Sequence, residues 1–194
     1  MAPTSMRSSV LSAVLLFLAA CSGTSAQVGN SVTGSVEGKN LSPGEAIAVA
    51  AQVKDNGNNV ALARVGLFDH TGTCALAMKG QESPNLRGLI LEVRHEDLSK
   101  MPPAIPPGTY PIGTELKEGY FEYVVARFAA TDSTCHNTVQ RGAGASGRIT
   151  IESINATSIK GNYSVRFDSG DALNGTFDAP VCNVPVPTET SCAK

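Results

Sequence analysis

The stretch from residue 147 to residue 179 alternates apolar and polar side chains with a period of two. This is the pattern of β-strands that bury one face. The apolar members of its three runs are Ile149 and Ile151, then Tyr163, Val165 and Phe167, and then Leu173, Gly175 and Phe177. Short polar connections at 155–157 and 169–171 separate the runs. The pattern therefore predicts a three-stranded antiparallel meander, with Arg166 and Thr176 on its wet face.

A three-stranded unit cannot bury its apolar face alone and needs a second layer. Four earlier segments can supply it, at 45–53, 58–68, 89–93 and 120–130, and the last of these is apolar on both faces, as expected of an interior strand. We therefore predict an all-β protein with one domain over residues 31–184, folded as an antiparallel β-sandwich or a small barrel.

The N-terminal segment has the features of an export signal. Arg7 gives a positive start, an apolar run covers residues 10–20, and small residues precede Cys21. The run is shorter than the roughly 20 residues that a transmembrane helix needs. Leu18-Ala19-Ala20-Cys21 also resembles the lipobox of bacterial lipoproteins, in which the cysteine thiol receives diacylglycerol, cleavage occurs before it, and the new amino group is acylated, for example with palmitate.

This resemblance implies a lipoprotein signal peptide over 1–20, lipidated Cys21 as the first mature residue, and a flexible tether over 21–30, which is small and polar in composition. The alternative is an ordinary signal peptide that is cut after a small residue such as Ala26. Ser22 stands where many lipoproteins carry their sorting signal. It implies the outer membrane, with the domain facing the periplasm or the cell surface.

Four cysteines remain once Cys21 is lipidated, an even number in an exported chain, which predicts two disulfides. Three pairings are possible. We favour Cys74 with Cys135 and Cys182 with Cys192, because the second pair would close a short Pro-rich tail over 185–194. Four free thiols are an alternative, and a zinc site lacks the usual paired spacing.

The formal net charge of −2 is spread along the chain without a basic stripe, so nucleic acid is not an expected partner. No second apolar run reaches membrane length, which leaves the lipid as the predicted membrane anchor.

Several pieces together resemble uncharacterised lipoproteins of Gram-negative bacteria. These pieces are the lipobox, "GTY" at 108–110, "ATDSTC" at 130–135 and the ending "GNYSVRFDSGDALNGTFDAPVC" at 161–182. The resemblance implies a bacterial envelope location and a β fold, and it implies no catalytic residue.

A search for catalytic and metal motifs finds none that is complete. Ser146 lacks the second glycine of a nucleophile elbow, and the glycine-rich stretch 142–147 lacks the ending of a phosphate-binding loop. His70, His95 and His136 show no metal-ligand spacing. We therefore expect no cofactor, no metal and no enzymatic activity.

Two functions of different classes follow. The first is a non-catalytic β-domain in the cell envelope that acts as an interaction or structural module for an unidentified envelope protein. The alternative is a carrier or sensor that holds a small apolar ligand in a barrel, in space left by small residues at Ala46, Ala48, Ala50 and Ala63. Tyr110, Tyr120 and Tyr123 form the one expected aromatic cluster.

Overall fold

The computed structural model describes residues 29–55, 57–142, 145–184 and 191–193. This part of the chain is almost entirely β-structure. Its elements are β1 (Ser31–Val36), β2 (Lys39–Asn40), β3 (Glu45–Asp55), β4 (Asn58–Phe68), α1 (Thr73–Ala77), β5 (Gln81–Glu82), β6 (Arg87–Asp97), β7 (Gly108–Pro111), β8 (Gly113–Lys117), β9 (Tyr120–Thr131), β10 (Asn137–Arg141), β11 (Ser146–Ile154), β12 (Ser158–Arg166), β13 (Ala172–Pro180) and β14 (Ser191–Cys192). No helix in this part of the chain is long and apolar enough to cross a bilayer.

The strands form two main sheets that pack around one core, and the fold is an antiparallel β-sandwich. Sheet A has the order β2-β1-β13-β12-β11-β7, and sheet B has the order β10-β9-β6-β4-β3, with β8 also paired to β9. The predicted fold class is confirmed, and of the two alternatives the described strands form the sandwich.

The predicted meander is confirmed as β11, β12 and β13, and its apolar face is the buried one. Two of its cross-strand pairs combine an aromatic residue with a glycine: Gly161 lies opposite Phe177, and Gly175 lies opposite Tyr163. A Cβ atom built on Gly161 would stand 2.7 Å from Phe177 Cζ. The missing side chains therefore leave room for the two rings.

The inner face of sheet B carries small residues where the two sheets come close together. Ala46 and Ala48 of β3 and Ala63 of β4 belong to the buried core. Some Cα atoms of β13 lie within 8 Å of Cα atoms in β3 and β4, which is closer than the roughly 10 Å usual between packed sheets. These alanines therefore permit close packing, whereas Ala50 is exposed at the rim.

The predicted disulfide pairing is wrong. Cys74 is bonded to Cys182, with their Cα atoms 5.9 Å apart, and Cys135 is bonded to Cys192, with their Cα atoms 5.6 Å apart. The predicted pair Cys182–Cys192 assumed a short closed tail, and the predicted pair Cys74–Cys135 assumed a bridge between two segments that each follow a strand. The path of the C-terminal residues overrides both assumptions.

After β13, the chain leaves sheet A and reaches the edge of sheet B. Val181 forms a parallel bridge with Ala48 of β3, and the Cys182 backbone N–H donates to the Ala48 carbonyl at 2.7 Å. Cys182 then packs with Ile47 and Phe68 on the face of sheet B that points away from the core. The predicted self-closed tail is thus replaced by a tail fixed to α1 at one point and, through Cys192, to the β9–β10 turn at another.

The start of the described chain belongs to the domain. The Gly29 carbonyl accepts a hydrogen bond from Thr176 Oγ1 at 2.8 Å, and Asn30 Oδ1 accepts one from the Asp178 backbone N–H at 2.9 Å. These two residues, predicted as part of the tether, lie along β13 instead. Cys21 and the rest of the predicted signal and tether lie outside the described residues.

Candidate interaction site at the proline end of the sandwich

A segment with four prolines closes one end of the sandwich. Residues 98–107 run from β6 in sheet B to β7 in sheet A and include Pro102, Pro103, Pro106 and Pro107. Proline has no N–H, but its carbonyl still needs a donor when water is excluded. We call this end of the molecule the proline end.

Three side chains supply the donors that the segment requires. Gln52 Nε2 donates to the Pro102 carbonyl at 3.0 Å, and the Tyr110 hydroxyl donates to the Pro106 carbonyl at 2.5 Å. His95 Nδ1 lies 3.1 Å from the Pro103 carbonyl, a contact that places the N–H on Nδ1. Polar residues from β3, β6 and β7 therefore fix the segment in place.

The other nitrogen of His95 contacts a buried carboxyl group. His95 Nε2 lies 3.0 Å from Glu122 Oε2, and both side chains are almost fully buried. Lys117 Nζ lies 3.6 Å from the second oxygen of Glu122, and the Tyr120 ring is tilted against the imidazole with the ring centroids 4.4 Å apart. A general base needs a free nitrogen within reach of its proton. Both imidazole nitrogens are already engaged, so the His95–Glu122 pair latches the proline segment to sheet B.

The same surroundings change the ionisation of Tyr110. Burial, with smaller contributions from the charge of Glu122 and from Tyr120, raises the pKa of Tyr110 to about 12. The neutral phenol keeps the hydrogen bond that its hydroxyl donates to the segment.

We expect stability to fall as the pH rises from about 10 to about 12. A tyrosine in the unfolded chain ionises near pH 10. Folded Tyr110 holds its proton up to about pH 12, so the folded state binds more protons in this window and loses stability as the pH rises. Below about pH 10 both states are neutral at this group, and its contribution is constant. Denaturant unfolding at a series of alkaline pH values measures the loss.

Tyr110→Phe is the matched variant for this test. It should remove one late-ionising phenol from an ultraviolet absorbance titration and make the alkaline loss of stability smaller. An unchanged titration curve would contradict the assignment of Tyr110 as a late-ionising phenol.

The proline end also carries large hydrophobic side chains that face solvent. Leu98 is 83% exposed, Leu116 68%, Phe121 47% and Met101 43%. We call these four residues the apolar patch. Leu98, Leu116 and Phe121 also border an open cavity of about 390 Å³, together with Tyr120 and Tyr123. A group of exposed apolar residues of this kind is typical of a binding surface.

The turn after β6 explains why Leu98 projects into solvent. Asp97 Oδ1 accepts hydrogen bonds from the Ser99 backbone N–H at 2.7 Å, the Ser99 hydroxyl at 2.8 Å and the Lys100 backbone N–H at 3.2 Å. These bonds, the Ser99 backbone bond first, hold the pKa of Asp97 below its usual value. The carboxylate closes a tight Asx turn, and Leu98 is carried at its apex.

The two halves of the apolar patch are held next to each other. Leu98 and Met101 come from the proline segment, whereas Leu116 and Phe121 come from the β8–β9 hairpin. A Cβ atom built on Gly119, at the tip of that hairpin, would stand 3.3 Å from Lys100 Nζ. The Lys100 side chain therefore lies against the tip of the hairpin, which makes the two halves of the patch neighbours.

A polar surface lies on the face of sheet B that points away from the core. Arg64 Nε contacts Glu92 Oε2 at 2.7 Å, and Arg94 Nη2 contacts Asp55 Oδ2 at 2.8 Å and also pairs with Glu96. Burial opposes the charge on Arg94, but the hydrogen bond to Asp55 and the charge of Glu96 outweigh it and raise the pKa of Arg94. Cations and carboxylates neutralise each other here, which is typical of a surface ladder between strands.

The structure brings together part of the predicted tyrosine cluster. Tyr120 and Tyr123 border the same cavity, whereas Tyr110 is buried and bonded to the proline segment. His70 and His136 lie beside Asp69 and Thr134 respectively. Within the ranges that the structure describes, no group of three His, Cys, Asp or Glu residues is placed to hold a metal ion.

Sequence reasoning missed the His95–Glu122 latch. The sequence does contain a signal for this latch. His95 continues the inward-facing positions of Leu91 and Val93 in β6, and a polar residue at a buried position needs a polar partner. Glu122 occupies the corresponding inward position of β9.

Comparisons with protein-family models, curated proteins and solved structures give no match to this chain. The resemblance to Gram-negative lipoproteins stays a prediction.

Proposed function

We propose that this chain is an exported, lipid-anchored protein of the bacterial outer membrane, and that its β-domain is a non-catalytic interaction module. The observation that carries the proposal is the apolar patch, four exposed hydrophobic residues on the proline segment and the β8–β9 hairpin, next to the latch and the Asx turn. Such preorganised apolar groups favour binding because little conformational freedom is lost when a partner covers them.

Two other features support export. The four cysteines that follow Cys21 are all paired in disulfides, which persist in oxidising compartments and are rare in the cytosol. The lipobox at 18–21 supplies the anchor, since several acyl chains on one cysteine hold a protein stably on a membrane.

The packing of the core favours an interaction module over an apolar-ligand carrier. Ala46, Ala48 and Ala63, whose small size suggested interior space, lie in the core where β13 approaches sheet B closely. Large side chains from both sheets, including Phe128 and Phe177, fill the remainder.

The test of the anchor is Cys21→Ser. We expect this variant to lose incorporation of an alkyne-tagged fatty acid and to move from the membrane fraction to the soluble exported fraction. The acyl chains on Cys21 are the proposed anchor, so a variant that cannot be acylated loses its attachment to the membrane.

Ala26→Leu is the matched control, because an ordinary signal peptidase needs a small residue before its cleavage site. A lipoprotein should be unaffected by it. The proposal is wrong if Cys21→Ser stays in the membrane fraction, or if Ala26→Leu blocks processing while Cys21→Ser does not.

A further inference from the structure

The apolar patch lies at the same end of the sandwich as the start of the described chain. Asn30 accepts a hydrogen bond from Asp178, which lies two residues before the end of β13 at Pro180. Pro180 pairs with Ser158, the first residue of β12, which directly follows the β11–β12 turn. That turn, through Asn155, borders one open cavity together with Gln52 and Ala104 of the proline end. The chain therefore enters the domain at its proline end.

The length of chain between the proposed anchor and this point is short. From Cys21 to Gly29 there are 29 − 21 = 8 residue steps, and a fully extended chain spans at most about 3.6 Å per residue. Gly29 thus lies within about 29 Å of a lipidated Cys21. A bilayer that holds the acyl chains of Cys21 is therefore close to the proline end of the domain.

We propose that the apolar patch docks on the lipid bilayer that holds Cys21, with Leu98 and Leu116 inserted among the headgroups and upper acyl chains. The inference rests on the lipid anchor of the proposed function. Leu98 projects from a turn, and Leu116 lies near the end of strand β8, so both exposed leucines can enter a bilayer without a complementary pocket. Tyr120 and Tyr123 beside them are of the type enriched at membrane interfaces. The domain then stands on the membrane through two contacts, the lipid and the patch.

The charges around the patch indicate what kind of lipid it needs. Lys117 is paired with Glu115 at 2.6 Å and lies near buried Glu122, and Lys100 covers Gly119. Glu118 adds a negative charge to the same hairpin. The surface is therefore not a basic patch, and insertion depends on apolar contact instead of attraction to anionic headgroups.

The absence of tryptophan from the sequence permits a direct test. Leu116→Trp places a single fluorophore in the patch of the full lipidated protein, and Lys39→Trp places one at the opposite end, where β2 follows β1 near the start of β13. Each protein is reconstituted in vesicles of phosphatidylcholine, or of equal amounts of phosphatidylethanolamine and phosphatidylglycerol, with and without lipids brominated on the acyl chains.

We expect Trp emission in the Leu116→Trp protein to shift to shorter wavelength in both kinds of vesicle and to be quenched by brominated lipid. Emission from the Lys39→Trp protein should stay unshifted and unquenched. If the two proteins float with the vesicles but respond alike, the docking inference is overturned and the lipid anchor stands. If the blue shift of the Leu116→Trp protein requires native membrane fragments and is absent in protein-free vesicles, the patch binds a protein and the inference is overturned. If neither protein carries acyl chains or floats, the proposed function fails, and the inference fails with it.

Discussion

Phe177→Ala is expected to destabilise the domain by about 3 to 5 kcal/mol, the usual range for a buried phenylalanine. The ring is 1% exposed and lies against Gly161 on the neighbouring strand. Truncation leaves a cavity that Gly161, without a side chain, cannot fill. This loss is a large share of the 5 to 15 kcal/mol that typically stabilises a domain.

Arg166→Ala is the control, because Arg166 lies on the exposed face of the same meander. Its cost should stay within about 0.5 kcal/mol. Denaturant unfolding, compared at constant slope, measures both changes. If Phe177→Ala were silent and Arg166→Ala severe, the strand register would be wrong by one residue, since such a shift exchanges the two faces of a strand.

The second large effect is expected when the Cys74–Cys182 disulfide is removed by the double substitution Cys74→Ser and Cys182→Ser. This bond joins residues 108 apart in the sequence. In the chain-entropy model, a cross-link that closes a loop of about 100 residues stabilises by about 4.7 kcal/mol. The substitution also places two hydroxyls in the cluster that contains Ile47 and Phe68.

The comparison variant is Cys135→Ser with Cys192→Ser, whose bond joins residues 57 apart. The shorter loop predicts a somewhat smaller loss, about 4 kcal/mol. Guanidinium unfolding without reductant measures both losses, and peptide mapping without reduction should recover Cys74 linked to Cys182. A peptide that links Cys182 to Cys192 would contradict the connectivity described here.

The meander was predictable because its information is local. Within each of the three strands, the period-two alternation shows which face is buried, and the short polar turns between them set the pairing. The earlier strands were predictable for the same reason. The partner of β1 was not predictable, because β1 pairs with β13, about 140 residues later. Neither segment contains a sequence pattern that indicates the other as its partner.

The prediction of the disulfide pairing was wrong for a related reason. Cys74 and Cys182 meet because Val181 crosses from one sheet to the edge of the other beside Ala48. This single long-range bridge leaves no periodic signal in the sequence. A prediction from separation along the chain therefore favours the closer cysteines, although loop-closure entropy grows only slowly with length.

The candidate site could be predicted in part. Of the predicted cluster of Tyr110, Tyr120 and Tyr123, the last two border one cavity and Tyr110 does not. The latch could not be predicted, because His95 meets Glu122 only through the register of β6 with β9, and it meets Pro103 only through the path of the proline segment.

The connectivity of the disulfides has a consequence for the order in which the molecule can be completed. A chain is synthesised from its N-terminus, so Cys74 and Cys135 are present together before either native partner. Any bond between them must be exchanged through a mixed disulfide once Cys182 and Cys192 arrive. Strand β1 likewise cannot form its pair with β13 until that much later strand has been synthesised. Both native disulfides and the β1–β13 pair therefore become accessible only when nearly the whole chain has been synthesised.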